Sequence, residues 1–194
     1  IAEEAAHLFS TVFGKYFAIC DSHMQTIAAA QMGPGDVILY ISYSGATRDL
    51  LEIAQLARER GADVIIASIH WGWEFEMYPH QNIIQAGHRL AEMGVDVILG
   101  SHPHVSQPME RYTDSNGRAH LIIYSLGDFV SYHPLTRNSK LTYVVRFDLV
   151  KGRDRAGTPV ICLDRLRVKP VYICCRELEG NRYDCRLLPF CQVL

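Results

Sequence analysis

Residues 61–72 read GADVIIASIHWG, and this stretch decides the fold. Gly61 is placed to end a helix, because it follows a segment in which apolar residues recur at helical spacing. The apolar run at 64–69 then predicts a buried strand, which leads directly into His70. A helix, a glycine and a buried strand in this order form one half of a βαβ unit.

The same alternation continues on both sides of this stretch. Buried strands are predicted at 16–20, 37–42, 95–99 and 121–125, and helices at 22–31, 50–57 and 83–93. Strands that alternate with helices predict the α/β class. We therefore expect a mostly parallel sheet with helices on both faces.

The C-terminal part of the chain is predicted to be a β-rich extension. Apolar and polar residues alternate over 141–149, which is typical of a half-exposed strand. Two further β-rich runs, 160–168 and 171–175, flank Pro170, which favours an edge position or a break. We expect antiparallel strands that are joined through the connection 151–154.

The composition of the 194 residues is that of an ordinary globular domain, with 48% hydrophobic and 21% charged residues. The 19 basic and 21 acidic residues nearly cancel, which argues against a nucleic-acid partner. No apolar run approaches the ~20 residues of a membrane span. Free or buried thiols are favoured for the six cysteines, and a disulfide or metal role stays open.

Three hydroxyl side chains mark a candidate phosphate site. Ser42, Ser44 and Thr47 lie where a buried strand turns into a helix. The unpaired backbone amides of a helix N-terminus can bind phosphate together with such hydroxyls. Helix capping is the alternative, because Ser and Thr are preferred N-cap residues.

Residues 2–67 resemble the sugar-isomerase (SIS) domain of RpiR-type regulators and phosphosugar isomerases. The matching elements are AEEAAH at 2–7, DSHMQ at 21–25, PGD at 34–36 and SYSGAT at 42–47. The resemblance implies a flavodoxin-type sandwich that binds a sugar phosphate through the three hydroxyls named above. The Asp-x-His at 21–23 belongs to this resemblance and is not taken as a metal-ligand pair.

Three histidines mark a second candidate site. His70 ends one predicted strand, and His102 and His104 follow the next. Side chains at the carboxyl ends of neighbouring parallel strands converge on one crevice. Three imidazoles can bind Zn²⁺, Mn²⁺ or iron, although any single histidine is more often structural. The remaining six of the 9 histidines are expected to be structural.

Residues 64–150 resemble the CapA family, which is linked to poly-γ-glutamate capsule synthesis. Its fold is related to calcineurin-like metallophosphoesterases. The matching motifs are SIHWGWEF at 68–75, AEMGVDVILGSHPHVSQP at 91–108 and YSLGDF at 124–129.

The CapA resemblance implies that His70, His102 and His104 bind a divalent metal ion. If the chain is active, it implies a metal-dependent phosphoesterase-like hydrolase assisted by Asp128 or Glu74. Asp128 stands where the family usually has Asn.

The two resemblances overlap on the strand at 64–69. The sequence therefore reads as an SIS-like segment at 1–67, a CapA-like segment at 64–150 and an extension at 151–194, in one continuous globular unit.

The alternatives to a CapA-like function are an SIS-type sugar-phosphate module and a folded hybrid without a complete active site. We expect a phosphate-containing small molecule as partner. A cytoplasmic location is the default expectation, and the CapA resemblance suggests the cell envelope.

Overall fold

The structure is a computed structural model that describes residues 1–12, 15–43, 48–131, 133, 136–153, 157, 159–180 and 182–193. The helices are α1 Ala2–Ser10, α2 Ser22–Ala30, α3 Arg48–Arg60 and α4 Gln81–Glu92, with 3₁₀ turns at Asn138–Lys140 and Phe190–Gln192. The strands are β1 Val37–Ser42, β2 Val64–His70, β3 Val97–Ser101, β4 Met109–Thr113, β5 Ala119–Ile123, β6 Leu141–Arg153, β7 Pro159–Leu178 and β8 Arg182–Pro189.

The first five strands form one sheet in the order β1-β2-β3-β5-β4. β1, β2, β3 and β5 are parallel, and β4 joins one edge as the antiparallel partner of β5. The predicted α/β class is confirmed. In this register Ile69 lies opposite Ser42 on one side and Gly100 on the other, so the carboxyl ends of β1, β2 and β3 lie side by side.

One face of this sheet packs against helices. Ile65, Ala67 and Ile69 of β2 point to that face and belong to a buried cluster with side chains of α2, α3 and α4. Leu50 and Ile53 of α3 lie in the same cluster. Since alternate residues of a strand point to opposite faces, the odd-numbered residues of β2 supply the helix-covered face.

The other face packs against the C-terminal strands. Val97, Leu121 and Ile123 form a second buried cluster there, with Phe147 and Leu163 packed against it. The second face therefore has a three-stranded antiparallel sheet, β6-β7-β8, as its described cover. The expectation of helices on both faces differs from the structure at this face, and the β-rich extension supplies the cover.

The C-terminal sheet confirms the predicted antiparallel pairing. β7 is one continuous strand, and Pro170 within it lies opposite Tyr143 of β6. Pairing with β8 begins only at Val171, so β7 is an edge at the proline. Proline is tolerated there because no neighbour on that side needs its missing N–H.

Cys175 and Cys185 face each other across β7 and β8 and form a disulfide. The favoured prediction of free thiols is wrong for this pair. Cys20, Cys162 and Cys174 are free and exposed, and so is Cys191.

A charged network lies at the amino ends of the parallel strands. Asp96, which is 6% exposed, pairs with Arg58 and with Arg118, whose Nη2 lies 3.3 Å away. The backbone N–H of Ile65 donates to the same carboxylate at 2.8 Å. Burial lowers the pKa of Arg58, and the charge of Asp96 opposes that shift.

One local prediction is wrong, and one strand of the first sheet was missed. Residues 16–20 form no strand, and Phe17 is 84% exposed. β4 was not predicted, although Asn116-Gly117 lies in the turn that joins it to β5. Among the described helices, none combines the length and apolar character needed to cross a bilayer.

Candidate functional site

The carboxyl ends of β2 and β3 bring the three predicted histidines together. The backbone N–H of Trp71 donates to the carbonyl of Ser101 at 3.1 Å, which extends the pairing of these strands beyond His70. The ring centres of His70 and His102 lie 4.3 Å apart, and those of His102 and His104 lie 6.0 Å apart. The imidazoles therefore form one continuous group.

The backbone of this group is strained. His102 has φ = 100° and His104 has φ = 60°, in the left-handed region that L residues with side chains rarely adopt. Such conformations cost about 1–3 kcal/mol each and cluster at functional sites.

Gly100 allows the close packing beneath the histidines. A Cβ atom at this position would lie 2.0 Å from the carbonyl oxygen of Tyr124 and 2.6 Å from the indole nitrogen of Trp71. The same indole N–H donates to the Tyr124 carbonyl at 2.8 Å. Only glycine lets β3 approach the Tyr124 carbonyl and the Trp71 indole this closely. Gly100 therefore fixes where β3 ends and where the segment that carries His102 and His104 begins.

Asp128 reaches the histidines from the loop after β5. Nδ1 of His104 donates to Oδ1 of Asp128 at 2.9 Å. Oδ2 of Asp128 lies 3.3 Å from Nε2 of His133, and the Ser131 hydroxyl donates to that oxygen at 2.5 Å. The Asp128 side chain is 13% exposed, so its carboxylate faces these three groups more than it faces water.

Glu74 and Phe75 also lie beside His104. Oε1 of Glu74 lies 3.9 Å from Nε2 of His104, and the Glu74 side chain is 56% exposed. The Phe75 ring lies 5.7 Å from the His104 ring and 5.5 Å from the His133 ring, between ring centres. Glu74 therefore presents a solvated carboxylate, while Phe75 supplies an apolar wall.

The ligand atoms make two groups of metal-binding size within the described residues. Glu74, His102 and His104 form one, and His104, Asp128 and His133 form the other. In each group the ligand atoms lie within 4.8 Å of one another. His70 belongs to neither group, although its ring lies beside that of His102. Asp21 and His23 belong to neither group as well, and the Asp21 carboxylate instead caps α2 by accepting from the Met24 N–H at 2.8 Å.

The pKa of His70 is lowered. Burial is the main cause, and the neighbouring charges of His102 and His104 add to it. A lowered pKa keeps the imidazole neutral near pH 7, and the neutral imidazole is the form that binds metal.

The predicted phosphate site adjoins the histidines through β1. Ser42 is buried at the end of β1, and the Tyr43 ring stacks on the His70 ring with centres 4.8 Å apart. Ser44 and Thr47 lie outside the described residues. Tyr43 therefore places the carboxyl end of β1 beside the histidine group.

His133 is one of the six histidines expected to be structural, yet it lies beside Asp128. Its position after Asp128 in the same loop was the available signal. A lone histidine in a loop is weak evidence, however, because nothing in the sequence shows that the loop folds back toward β3.

Comparison with known proteins supports both resemblances. The bacterial capsule synthesis protein family PGA_cap matches residues 20–133. The PGA biosynthesis protein CapA of Bacillus subtilis is 36% identical over 94 residues, which cover 48% of this chain and 23% of that protein. A probable polyglutamine synthesis accessory protein of Mycobacterium tuberculosis is 30% identical over 169 residues, covering 84% of this chain and 42% of that protein.

The regulator resemblance also has a counterpart. The HTH-type transcriptional regulator HexR of Pseudomonas aeruginosa is 42% identical over 65 residues, which cover 34% of this chain and 23% of the regulator. The chain thus spans between 23% and 42% of the length of these curated relatives. Because the capsule family matches more than half of the residues, the chain belongs to the bacterial capsule synthesis protein family PGA_cap.

Proposed function

We propose that this chain is a CapA-like, metallophosphoesterase-related part of a capsule synthesis protein. His70, His102 and His104 hold one divalent ion in this proposal. One observation carries it: three imidazoles from two adjacent strand ends form a continuous group, with ring centres 4.3 Å and 6.0 Å apart. Three imidazoles fit Zn²⁺, Mn²⁺ or iron.

The surrounding residues have separate roles in this proposal. A divalent ion supplies Lewis acidity toward a phosphoryl oxygen when it is bound. His104 donates from Nδ1 to Asp128, which leaves the Nε2 lone pair directed to the side of Glu74. Asp128 is then a positioning residue. Glu74 is the group placed to accept a proton from an attacking water, because its carboxylate is exposed beside His104.

The proposed ligand is a small molecule that carries a phosphate group. The support is the contact between Tyr43 and His70, since it places the hydroxyl-bearing end of β1 next to the histidines. The similarity to HexR favours a second candidate function, a sugar-phosphate binding module that uses Ser42, Ser44 and Thr47.

Metal analysis tests the leading proposal. The four free cysteines are first replaced by serine, because exposed thiolates bind Zn²⁺ themselves. In that background, the otherwise wild-type protein, His102→Ala and His7→Ala are titrated with Zn²⁺ by calorimetry, and the bound ions are counted by metal analysis. His7 is an exposed helix residue and serves as the matched control. We expect His102→Ala to weaken binding to the histidine group at least tenfold, while His7→Ala keeps the wild-type content. Equal metal content in all three proteins contradicts the proposal.

Thermal stability with added phosphosugar distinguishes the second candidate. A rise in melting temperature that Ser44→Ala abolishes, and that needs no metal, supports a sugar-phosphate module. Stabilisation by metal alone, lost in His102→Ala, supports the phosphoesterase-related site.

A further inference from the structure

A second group of ligand atoms lies on the far side of His104 from Glu74. It consists of Nδ1 of His104, the carboxylate of Asp128 and an imidazole nitrogen of His133. Asp128 and His133 belong to the loop after β5, whereas His104 belongs to the loop after β3. Two separate loops therefore converge on one point, and neither Asp128 nor His133 is part of the ligand set proposed above.

The distances in this group suit a common ion. Oδ1 of Asp128 lies 2.9 Å from Nδ1 of His104, and Oδ2 lies 3.3 Å from Nε2 of His133. Ligands placed about 2.0–2.2 Å from one tetrahedral ion are roughly 3.3 Å apart. The Asp128–His133 separation matches that spacing, whereas the His104–Asp128 pair is at hydrogen-bond distance and widens by roughly 0.4 Å to admit the ion. Two imidazoles and a carboxylate form a donor set that binds Zn²⁺ or Fe²⁺ and leaves a position open.

The surroundings also fit a metal site. The Ser131 hydroxyl donates to Asp128, which is the kind of outer contact that orients a ligating carboxylate. The Phe75 ring covers the two imidazoles from one side. The His104 ring lies between the two groups, because its Nε2 is 3.9 Å from Oε1 of Glu74 and its Nδ1 donates to Asp128.

We propose that His104, Asp128 and His133 form a second divalent-cation site, adjacent to the histidine group at the ends of β2 and β3. The cation replaces the proton that lies between Nδ1 of His104 and Asp128, and that proton leaves to water. The two sites share the His104 ring, one nitrogen for each. Asp128 and His133 are specific to the second site, and His70 and His102 are specific to the first.

Zn²⁺ stoichiometry tests this assignment. The four free cysteines are first replaced by serine, because exposed thiolates bind Zn²⁺ themselves. Isothermal titration and metal analysis then count ions per chain in that background, in His133→Ala, in His70→Ala and in His80→Ala. His80 is an exposed histidine outside both groups and is the matched control. We expect two ions in the background and in His80→Ala, and one ion in each of the other two variants.

A milder variant separates ligand loss from misfolding. Ser131→Ala keeps every ligand but removes the hydroxyl that donates to Asp128. We expect two ions, with the affinity of the second site about tenfold weaker. Circular dichroism shows whether His133→Ala and His133→Gln are folded. Bound Zn²⁺ ions are counted in the variant that is folded.

Each outcome decides between the sites. One ion in the background that His133→Ala leaves in place overturns the second site, and the Asp128–His133 contact is then a hydrogen bond only. One ion that His133→Ala removes and His70→Ala retains supports the second site and overturns the first. Unchanged binding in both variants overturns both.

Discussion

The two ends of the parallel sheet hold their polar side chains in opposite ways. At the amino ends, the Asp96 carboxylate is matched by Arg58, Arg118 and the Ile65 N–H. At the carboxyl ends, His102 and His104 have a strained backbone. The first arrangement stabilises the fold, whereas the second holds side chains in place at a cost in stability. A cluster of polar side chains therefore points to function when the backbone that holds it is strained, as at His102 and His104.

The largest expected effect is at the amino ends. Asp96→Ala leaves Arg58 largely buried and without its carboxylate, because the Arg58 side chain is only 19% exposed. We expect the free energy of unfolding to fall by about 3–5 kcal/mol. Urea unfolding followed by circular dichroism measures it. Asp164→Ala, at a 60% exposed side chain, is the control and changes stability by about 0.5 kcal/mol or less. Similar losses in the two variants mean that the Asp96 network does not stabilise the fold.

The next largest loss of stability is expected at Gly100, which packs beneath the three histidines. Gly100→Ala brings a Cβ atom against the Tyr124 carbonyl and the Trp71 indole. We expect a loss of about 3 kcal/mol, the upper end of the usual range for overpacking. The Trp71 hydrogen bond also breaks, which shifts tryptophan fluorescence. Gly152→Ala has open space around its Cβ and serves as control. A Gly100→Ala variant as stable as this control shows that the close approach of β3 is not required.

The third prediction has the opposite sign. His102→Gly removes the steric strain of a residue at φ = 100°. We expect the metal-free protein to become about 1 kcal/mol more stable, as the relieved strain exceeds the entropic cost of glycine. Ser101→Gly, one residue earlier and in β3, is expected to lose stability. If both variants lose stability, the backbone at His102 carries no strain that glycine relieves, and the contrast between the two ends of the sheet is wrong.

The smallest effect concerns the contact between the two sheets. The Tyr143 hydroxyl of β6 lies 2.9 Å from the carbonyl oxygens of Gln107 and Ser125. Tyr143→Phe is expected to cost about 1 kcal/mol, measured by urea unfolding at pH 7. Tyr78→Phe, at a 74% exposed tyrosine, is the control and is expected to change stability little. Equal stability of wild type and Tyr143→Phe would mean that this hydroxyl does not help to hold the sheets together.

The pH dependence of the same variant gives a second measurement. Burial raises the pKa of Tyr143 to about 12, above the value of about 10 in the unfolded chain. The folded state thus keeps a proton that the unfolded state loses, so stability decreases as the pH rises from about 10 to about 12. Tyr143→Phe removes this contribution and flattens that part of the stability profile. An unchanged slope would mean that other groups cause it.

The parallel sheet was predictable because its strands are continuous apolar runs. The prediction at 37–42 coincides with β1, and that for β2 is one residue short at its end. The predictions for β3 and β5 are displaced by two residues at both ends, in opposite directions. Strand ends fix where the following side chains emerge, so the grouping of His70, His102 and His104 was predictable too.

The wrong and missed predictions have separate causes. Residues 16–20 have the composition of a strand, but they have no neighbouring strand to pair with among the described residues. β4 is an edge strand with a mixed pattern, Met-Glu-Arg-Tyr-Thr, which resembles neither a buried strand nor a helix. His133 could not be placed by sequence, because its partner Asp128 is brought to His104 only by the tertiary fold.

The C-terminal sheet that covers the second face of the parallel sheet is synthesised after the strands that it buries. Val97, Leu121 and Ile123 leave the ribosome before the strands that bury them, β6 and β7. At ~5–20 residues per second, that apolar face stays open to water for several seconds. A chain stopped near residue 140 would keep it open permanently and would be prone to aggregate or to bind a chaperone.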